Sequence, residues 1–250
     1  IQPNTSLIYL ESPNSWTFYL QDLRAVARLA KQKNITTICD NSYATPLYQR
    51  PVELGIDLSV QSVTKYINGH SDVIAGVICG NKERIGKIFN SEYLNLGIGT
   101  TPFNAWLILR GLRTLPARME RRTKTPNEVV KFLQSCKQIE SISFPMSKDF
   151  PQYKLAKKQM SGGCGLLSFV FKTRDQKSIV RFCEALKHIL MAVSWGGHES
   201  LILPAVAAMK KNEFDPEVEA HRRVRLYVGL EDSAYIIEDL KRGFAAMKEK

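Results

Sequence analysis

Two hydroxyl side chains and a lysine stand close together in residues 62–72, whose sequence is SVTKYINGHSD. The apolar run at 56–60 predicts a β-strand just before them, so Ser62, Thr64 and Lys65 come where that strand would end. In open α/β sheets, ligands bind in the crevice beyond the carboxyl ends of the strands. A lysine held there can form a Schiff base with a carbonyl compound. The spacing therefore predicts a reactive lysine at the edge of a sheet.

A second apolar run, at 35–39, ends in Asp40. Two neighbouring strands that each deliver one charged residue are the layout expected around pyridoxal phosphate, which needs a lysine and an acidic partner for its ring nitrogen. The alternatives are ordinary ones. A lysine after a strand is most often a solvated surface charge, Asp40 could cap a helix or a turn, and the hydroxyls of Ser62 and Thr64 could serve a simple turn.

Several further motifs occur in a fixed order along nearly the whole chain. They are Glu11–Pro13, Asp40–Pro46, the stretch 62–72, Arg110–Leu115, Ser194–Gly197 and Arg225–Asp232. Together they resemble the pyridoxal-phosphate enzymes of cysteine and methionine metabolism, the cystathionine synthase and lyase family. The resemblance implies an α/β protein of fold type I, the aspartate-aminotransferase-like class, with a mainly parallel sheet domain and a smaller α+β C-terminal domain. It also implies pyridoxal 5'-phosphate as the cofactor and an amino acid as the substrate.

The resemblance assigns a role to each candidate site residue. Lys65 would hold the cofactor as a Schiff base and move the substrate Cα proton, which requires a neutral amine and therefore a lowered pKa. Asp40 would keep the pyridine nitrogen protonated, while Ser62 and Thr64 would donate hydrogen bonds to the phosphate. Arg225 would clamp the substrate α-carboxylate with two hydrogen bonds, which a lysine cannot do.

The alternative for Arg225 is a surface ion pair with Glu231 or Asp232.

The substrate pocket separates the branches of this family. Ser194 and Trp195 would line it, and a tryptophan after that serine resembles the cystathionine β-lyase branch, which releases homocysteine, pyruvate and ammonia by α,β-elimination. The segment 95–97 with Pro102 resembles the γ-type enzymes more, namely cystathionine γ-synthase, cystathionine γ-lyase and methionine γ-lyase. Tyr93 is a further candidate pocket residue. Trp195 could instead be a core aromatic, and the whole chain could be a noncatalytic binding or regulatory protein that retains the fold.

Composition excludes several other classes. The 250 residues are 44% hydrophobic and carry a net charge of +11. The basic clusters at 118–124, 154–158 and 210–211 do not alternate with aromatic residues, so we interpret them as solvated surface and expect no nucleic-acid partner. Apolar runs fall far short of the roughly 20 residues of a membrane span, and no leader opens the sequence, so we expect no membrane association and a cytoplasmic protein. The five cysteines lack C-x-x-C spacing, which predicts free thiols and no metal site.

Strand and helix patterns alternate in the first part of the chain, which predicts a parallel sheet. The expected strands are 6–10, 35–39, 57–60 and 73–79, and the expected helices are 22–32, 82–89 and 103–112. After a boundary near residue 112, we expect a basic helix at 118–136, a strand at 166–171, and helices at 176–190 and 234–248. The predicted domains are thus 1–112, the rest of the cofactor-binding domain, and 113–250, the small domain.

The family's subunits extend further at their start. From that comparison we expect the N-terminal part of the fold to be missing here, with its phosphate-binding helix, its ring-stacking tyrosine, and the tyrosine and arginine that a partner subunit provides. Since Ser62 and Thr64 supply only two donors to a phosphate dianion, we expect the parent protein to be a homo-oligomer, a dimer of dimers.

Overall fold

The computed structural model describes residues 1–210 and 212–247. The strands are β1 (Leu7–Glu11), β2 (Thr36–Asp40), β3 (Leu58–Ser62), β4 (Gly76–Gly80), β5 (Ile139–Ser143), β6 (Leu166–Phe171), β7 (Leu190–Met191), β8 (Leu201–Pro204) and β9 (Arg223–Tyr227). The α-helices are α1 (Leu23–Gln32), α2 (Thr45–Tyr48), α3 (Lys82–Ile88), α4 (Leu94–Leu96), α5 (Pro102–Ser135), α6 (Tyr153–Gln159), α7 (Gln176–Glu184) and α8 (Ser233–Ala246). Lys211 and Lys248, which belong to a predicted basic cluster and a predicted helix, lie outside the described residues.

The first sheet has the order β1-β2-β3-β4 and is mainly parallel, as predicted. Strand β2 pairs in parallel with β1 and β3, whereas β4 pairs antiparallel with β3. The antiparallel pairing follows from the connection, because residues 63–75 form a loop without a helix, and parallel strands need a longer crossover, usually a helix. Strands β2 and β3 end at Asp40 and Ser62, so their carboxyl ends open at the same edge.

The second sheet has the order β5-β6-β9-β8-β7 and is mostly antiparallel. Its central strands β6 and β9 are buried along their whole length. Helices α7 and α8 pack against it through Phe182 and Phe244, whose ring centroids lie 4.9 Å apart. This layer buries β9 in the interior of the molecule.

Helix α5 is one continuous helix of 34 residues where the sequence predicts two. It contains Pro116 and Pro126 and passes through residue 112 without a break, so the predicted domain boundary falls inside a helix and stays a prediction. The interpretation of residues 118–124 as solvated surface is wrong for Arg118 and Arg122, which are 7% and 0% exposed. Both side chains reach backbone carbonyl oxygens of neighbouring loops, which is why they can be buried.

In the part of the chain that the structure describes, no helix is both long and apolar enough to cross a membrane.

Candidate active site

Lys65 lies three residues after the end of β3, in the loop that leads to β4. Its Nζ donates a hydrogen bond of 2.6 Å to the Ser194 hydroxyl. The same nitrogen lies 4.5 Å from the centre of the Trp195 ring. The predicted lysine therefore meets two predicted pocket residues that lie 129 and 130 positions further along the chain.

The loop 194–197 lies directly against the backbone of Lys65. Gly196 has a φ of 91°, and a Cβ added there would lie 2.5 Å from the Lys65 carbonyl carbon. Only glycine allows this approach. Ser194 also has a positive φ, 84°, which is uncommon for a residue with a side chain and is often found at functional sites.

Arg225 extends from β9 into the same region and is 8% exposed. Its guanidinium carbon lies 5.1 Å from the Trp195 ring and 5.6 Å from the Trp16 ring, and Nη1 donates to the Ser15 carbonyl oxygen at 3.3 Å. The two indoles shield the cation, and most of its N–H groups make no hydrogen bond to the residues 1–210 and 212–247. The Trp195 ring thus has both Lys65 and Arg225 within cation–π distance.

The alternative of a surface ion pair for Arg225 does not hold. Glu231 accepts hydrogen bonds from Ser200, and Asp232 lies 3.9 Å from Arg121.

The electrostatics at this point favour a neutral lysine. Partial burial lowers the pKa of Lys65 below its ordinary value, and the positive charge of Arg225 lowers it further. Burial also lowers the pKa of Arg225, but a guanidinium stays charged in proteins. A lysine with a lowered pKa beside a permanent cation is a suitable nucleophile toward a carbonyl and a suitable proton acceptor.

Asp40, Ser62, Thr64 and Tyr93 line an adjoining cleft of about 700 Å³. The Asp40 carboxylate accepts a hydrogen bond of 2.8 Å from the Ser42 N–H, and the Ser42 hydroxyl accepts one of 2.7 Å from the Ser62 N–H. Ser42 therefore fixes Asp40 relative to the end of β3.

The Thr64 hydroxyl is already engaged. It donates to the Ala75 carbonyl oxygen at 3.2 Å and accepts from the Ala75 N–H at 2.9 Å. Thr64 also borders a second pocket, of about 520 Å³, which Ser194 and Trp195 line. Thr64 and Ile74 line both pockets and so connect the cleft to the pocket of Ser194 and Trp195.

Tyr93 lies at the outer side of the cleft, 39% exposed, and its ring stacks on Phe89 with a centroid distance of 5.3 Å. It shares the cleft with Asp40, and it does not line the pocket of Ser194 and Trp195.

The cleft residues Asp40, Ser62 and Thr64, together with Lys65 directly after Thr64, fit pyridoxal 5'-phosphate by their chemistry. A carboxylate suits the pyridine nitrogen, hydroxyls suit the phosphate, and a lysine suits the aldehyde. The cleft walls include Ile74, Ile78, Ile85 and Phe89, which suit the faces of an aromatic ring.

Three residues that contact the site or its loops were not identified from the sequence. Trp16 contacts Arg225, and the buried Arg118 and Arg122 donate to the loops that carry Lys65 and Trp195. A signal was present for the arginines, because they share a helix face with Leu115 and Met119 in the i, i+4 pattern of a buried stripe.

Comparison with known proteins identifies the family to which this chain belongs. The sequence profile described as "Cys/Met metabolism PLP-dependent enzyme" matches residues 1–245. The chain is 41% identical over 252 residues to an L-methionine gamma-lyase of Treponema denticola, which covers 97% of this chain and 62% of that protein. It is 35% identical over 250 residues to a putative cystathionine beta-lyase of Rhizobium johnstonii, with coverage of 97% and 62%.

A solved structure agrees with these matches. The crystal structure of cystathionine gamma-lyase from Lactobacillus plantarum complexed with L-serine superimposes with a TM-score of 0.90 at 31% identity, covering 99% of this chain and 65% of that one. The chain spans slightly less than two thirds of the length of these relatives. The predicted fold type I architecture and the predicted cofactor, pyridoxal 5'-phosphate, are confirmed. The chain belongs to the family of Cys/Met metabolism PLP-dependent enzymes.

Proposed function

We propose that the whole protein is a carbon–sulfur lyase that cleaves cystathionine by α,β-elimination, with water consumed and homocysteine, pyruvate and ammonia released. The observation that carries this proposal is the group around the Trp195 ring. Lys65 Nζ lies 4.5 Å and the Arg225 guanidinium carbon 5.1 Å from that ring. A base and a carboxylate-binding cation at this spacing can act on one amino-acid substrate.

Arg225 binds the substrate α-carboxylate. Its guanidinium has N–H groups in a planar fork, and in the described part of the chain only the 3.3 Å contact with the Ser15 carbonyl uses one of them. Trp195 and Trp16 exclude water on either side, which strengthens a charge-assisted hydrogen bond in this position. The substrate Cα is thereby held toward Lys65.

Lys65 takes the proton from the substrate Cα. Its lowered pKa keeps a larger fraction of the amine neutral, as a base requires. The Ser194 hydroxyl, 2.6 Å away, fixes the direction of Nζ. When bound, the cofactor supplies an electron sink for the pair left on Cα.

Asp40 would hold the pyridine nitrogen of the cofactor, and Ser62 and Thr64 would donate to its phosphate. This assignment is supported by their shared cleft and by the Ser42 link between Asp40 and the end of β3. Thr64 would exchange its present contact with Ala75 for one with the phosphate. Tyr93 would contact ligand from the outer side of the cleft.

Cleavage at Cγ is the second candidate, and a specific observation favours it. The relative from Treponema denticola is named L-methionine gamma-lyase and is more similar in sequence than the putative cystathionine beta-lyase from Rhizobium johnstonii. Trp195 supports the β-lyase assignment, because a tryptophan after that serine resembles the β-lyase branch. Its ring lies 4.5 Å from Lys65 Nζ and lines the pocket beside it, where it can contact the side chain of the substrate.

Product analysis of the full-length protein with L,L-cystathionine separates these candidates. Pyruvate with homocysteine indicates cleavage at Cβ, whereas 2-oxobutanoate with cysteine indicates cleavage at Cγ. Absence of a lysine-bound cofactor and of turnover would support the noncatalytic alternative and refute the proposal.

A further inference from the structure

Arg122 is a buried cation with an incomplete set of partners. Its side chain is fully buried on α5, and Nη2 donates to the Gly197 carbonyl oxygen. Among the residues that the structure describes, the Nε and Nη1 N–H groups find no hydrogen-bond acceptor. Burial of an incompletely paired guanidinium is unfavourable, and an unsatisfied buried group calls for a specific explanation.

The carbonyl of Gly197 receives two hydrogen bonds from the interior. Besides Arg122, the Tyr227 hydroxyl donates to it at 2.7 Å. Gly197 lies two residues after Trp195 in the loop between β7 and β8, and Tyr227 lies two residues after Arg225 on β9. This part of the loop is therefore bound by the same strand that bears the proposed carboxylate clamp.

The guanidinium of Arg122 also contacts the Lys65 loop. Its central carbon lies 5.4 Å from the ring of Tyr66, the residue that follows Lys65, and 5.9 Å from the ring of Tyr227. Ring faces attract a cation, which partly replaces the missing hydrogen-bond acceptors. One side chain thus touches the Lys65 loop, the loop 194–197 and β9.

Arg118, one helical turn earlier, supports the same arrangement. It donates to the carbonyl oxygens of Tyr66 at 2.8 Å and Ile67 at 3.1 Å. Of the two loops, Arg118 donates to the Lys65 loop, whereas Arg122 contacts both loops, so Arg122 adds a side-chain link between them to the hydrogen bond from Lys65 to Ser194.

We propose that Arg122 is a positioning residue that holds the loop 194–197 against the Lys65 loop. It acts through the Gly197 carbonyl and the faces of Tyr66 and Tyr227, and it sets where Ser194 and Trp195 lie relative to the Lys65 amine. The consequence for turnover rests on the proposed function, while the consequence for loop mobility does not.

Amide hydrogen exchange in the full-length protein without cofactor tests the loop directly. Arg122→Met removes the charge and the hydrogen bond while keeping a long apolar side chain, and Arg113→Met is the matched control, because Arg113 is exposed on the same helix. We expect exchange in peptides covering 194–198 to accelerate about tenfold or more in Arg122→Met only. Equal exchange in Arg122→Met and wild type would overturn the proposal.

Kinetics of the holoenzyme give the second measurement. We expect kcat/KM of Arg122→Met to fall about tenfold or more at normal cofactor content, and Arg122→Lys to recover part of it. Tyr227→Phe should act in the same direction, and the double variant should lose less than the product of the two single losses, because both donors act on Gly197. If the two losses in kcat/KM multiply in the double variant, the two donors act independently, and their shared action on Gly197 is refuted.

The two experiments distinguish failure of the proposed function from failure of the proposed role of Arg122. If the wild-type protein cleaves no thioether amino acid, the proposed function fails, while the exchange experiment still decides the role of Arg122. If Arg122→Met does not fold, Arg122→Lys and Tyr227→Phe replace it in the exchange measurement. Faster exchange of 194–198 in both supports the proposal, and unchanged exchange in both overturns it.

Discussion

Arg225→Lys separates a carboxylate clamp from a mere positive charge. The substitution keeps the charge near Lys65 but replaces a planar fork by a single ammonium, so one of two hydrogen bonds to the substrate carboxylate is lost. A hydrogen bond to a charged group contributes about 1.5–3 kcal/mol, which corresponds to a fall of about 10- to 150-fold in kcat/KM. The upper part of that range applies if burial of Arg225, 8% exposed between two indoles, keeps water from replacing the lost donor.

The assay is steady-state product release from cystathionine by the full-length enzyme, with cofactor content measured by absorbance. If the clamp holds ground and transition states equally, KM carries the loss and kcat stays near the wild-type value. Arg28→Lys, an exposed substitution on α1, is the control. Wild-type kcat/KM in Arg225→Lys, or loss of cofactor in place of substrate affinity, would refute the assignment.

Four further outcomes are expected. Lys65→Ala should lose the visible absorption of the lysine-bound cofactor and its fixation to the chain by borohydride; retention of both would assign another lysine. Gly196→Ala, whose Cβ would lie 2.5 Å from the Lys65 carbonyl carbon, should lower activity and Tm, whereas Gly86→Ala, with nothing within 4 Å, should not. Arg225→Gln removes a charge that lowers the pKa of Lys65, so cofactor incorporation into the apoprotein should reach its maximum rate at higher pH, and an unchanged pH profile would contradict this. The whole protein should sediment as an oligomer that Trp106→Glu weakens, because Trp106, 61% exposed, lies on an apolar face of α5; a fully active monomer would exclude this.

The part of the candidate site at the ends of β2 and β3 could be predicted from local sequence. Asp40 and Ser62 each end a strand of one parallel pair, and strand ends are visible in the alternation of apolar and polar segments. The predicted strand limits were less accurate. Strand β4 begins at Gly76 where the pattern predicts residue 73, because Val73 is buried but lies in the loop before the strand. Burial in a loop and burial in a strand give the same apolar signal.

The part of the site formed by Ser194, Trp195 and Arg225 could not be predicted from hydrophobic periodicity. Ser194 and Lys65 are separated by 129 positions, and nothing in the local pattern around either residue specifies the 2.6 Å contact between them. Only the family resemblance named Ser194, Trp195 and Arg225 as partners of Lys65. Their proximity is a property of the way the two sheets pack, which depends on many weak contacts along the whole chain.

Helix α5 shows why charge patterns alone mislead at this kind of site. A run of arginines predicts a solvated face because an isolated buried cation is unfavourable, and that rule takes no account of acceptors that other segments bring. Here Arg118 reaches two carbonyl oxygens of the Lys65 loop, and Gly69 is required beside it, since a Cβ there would lie 1.9 Å from Arg118 Nη1. The loops that carry Lys65 and Trp195 follow strands of different sheets, so neither sheet alone can fix the distance between them. Because one helix face holds both loops, a substitution on α5 can alter the geometry around Lys65 without touching substrate or cofactor.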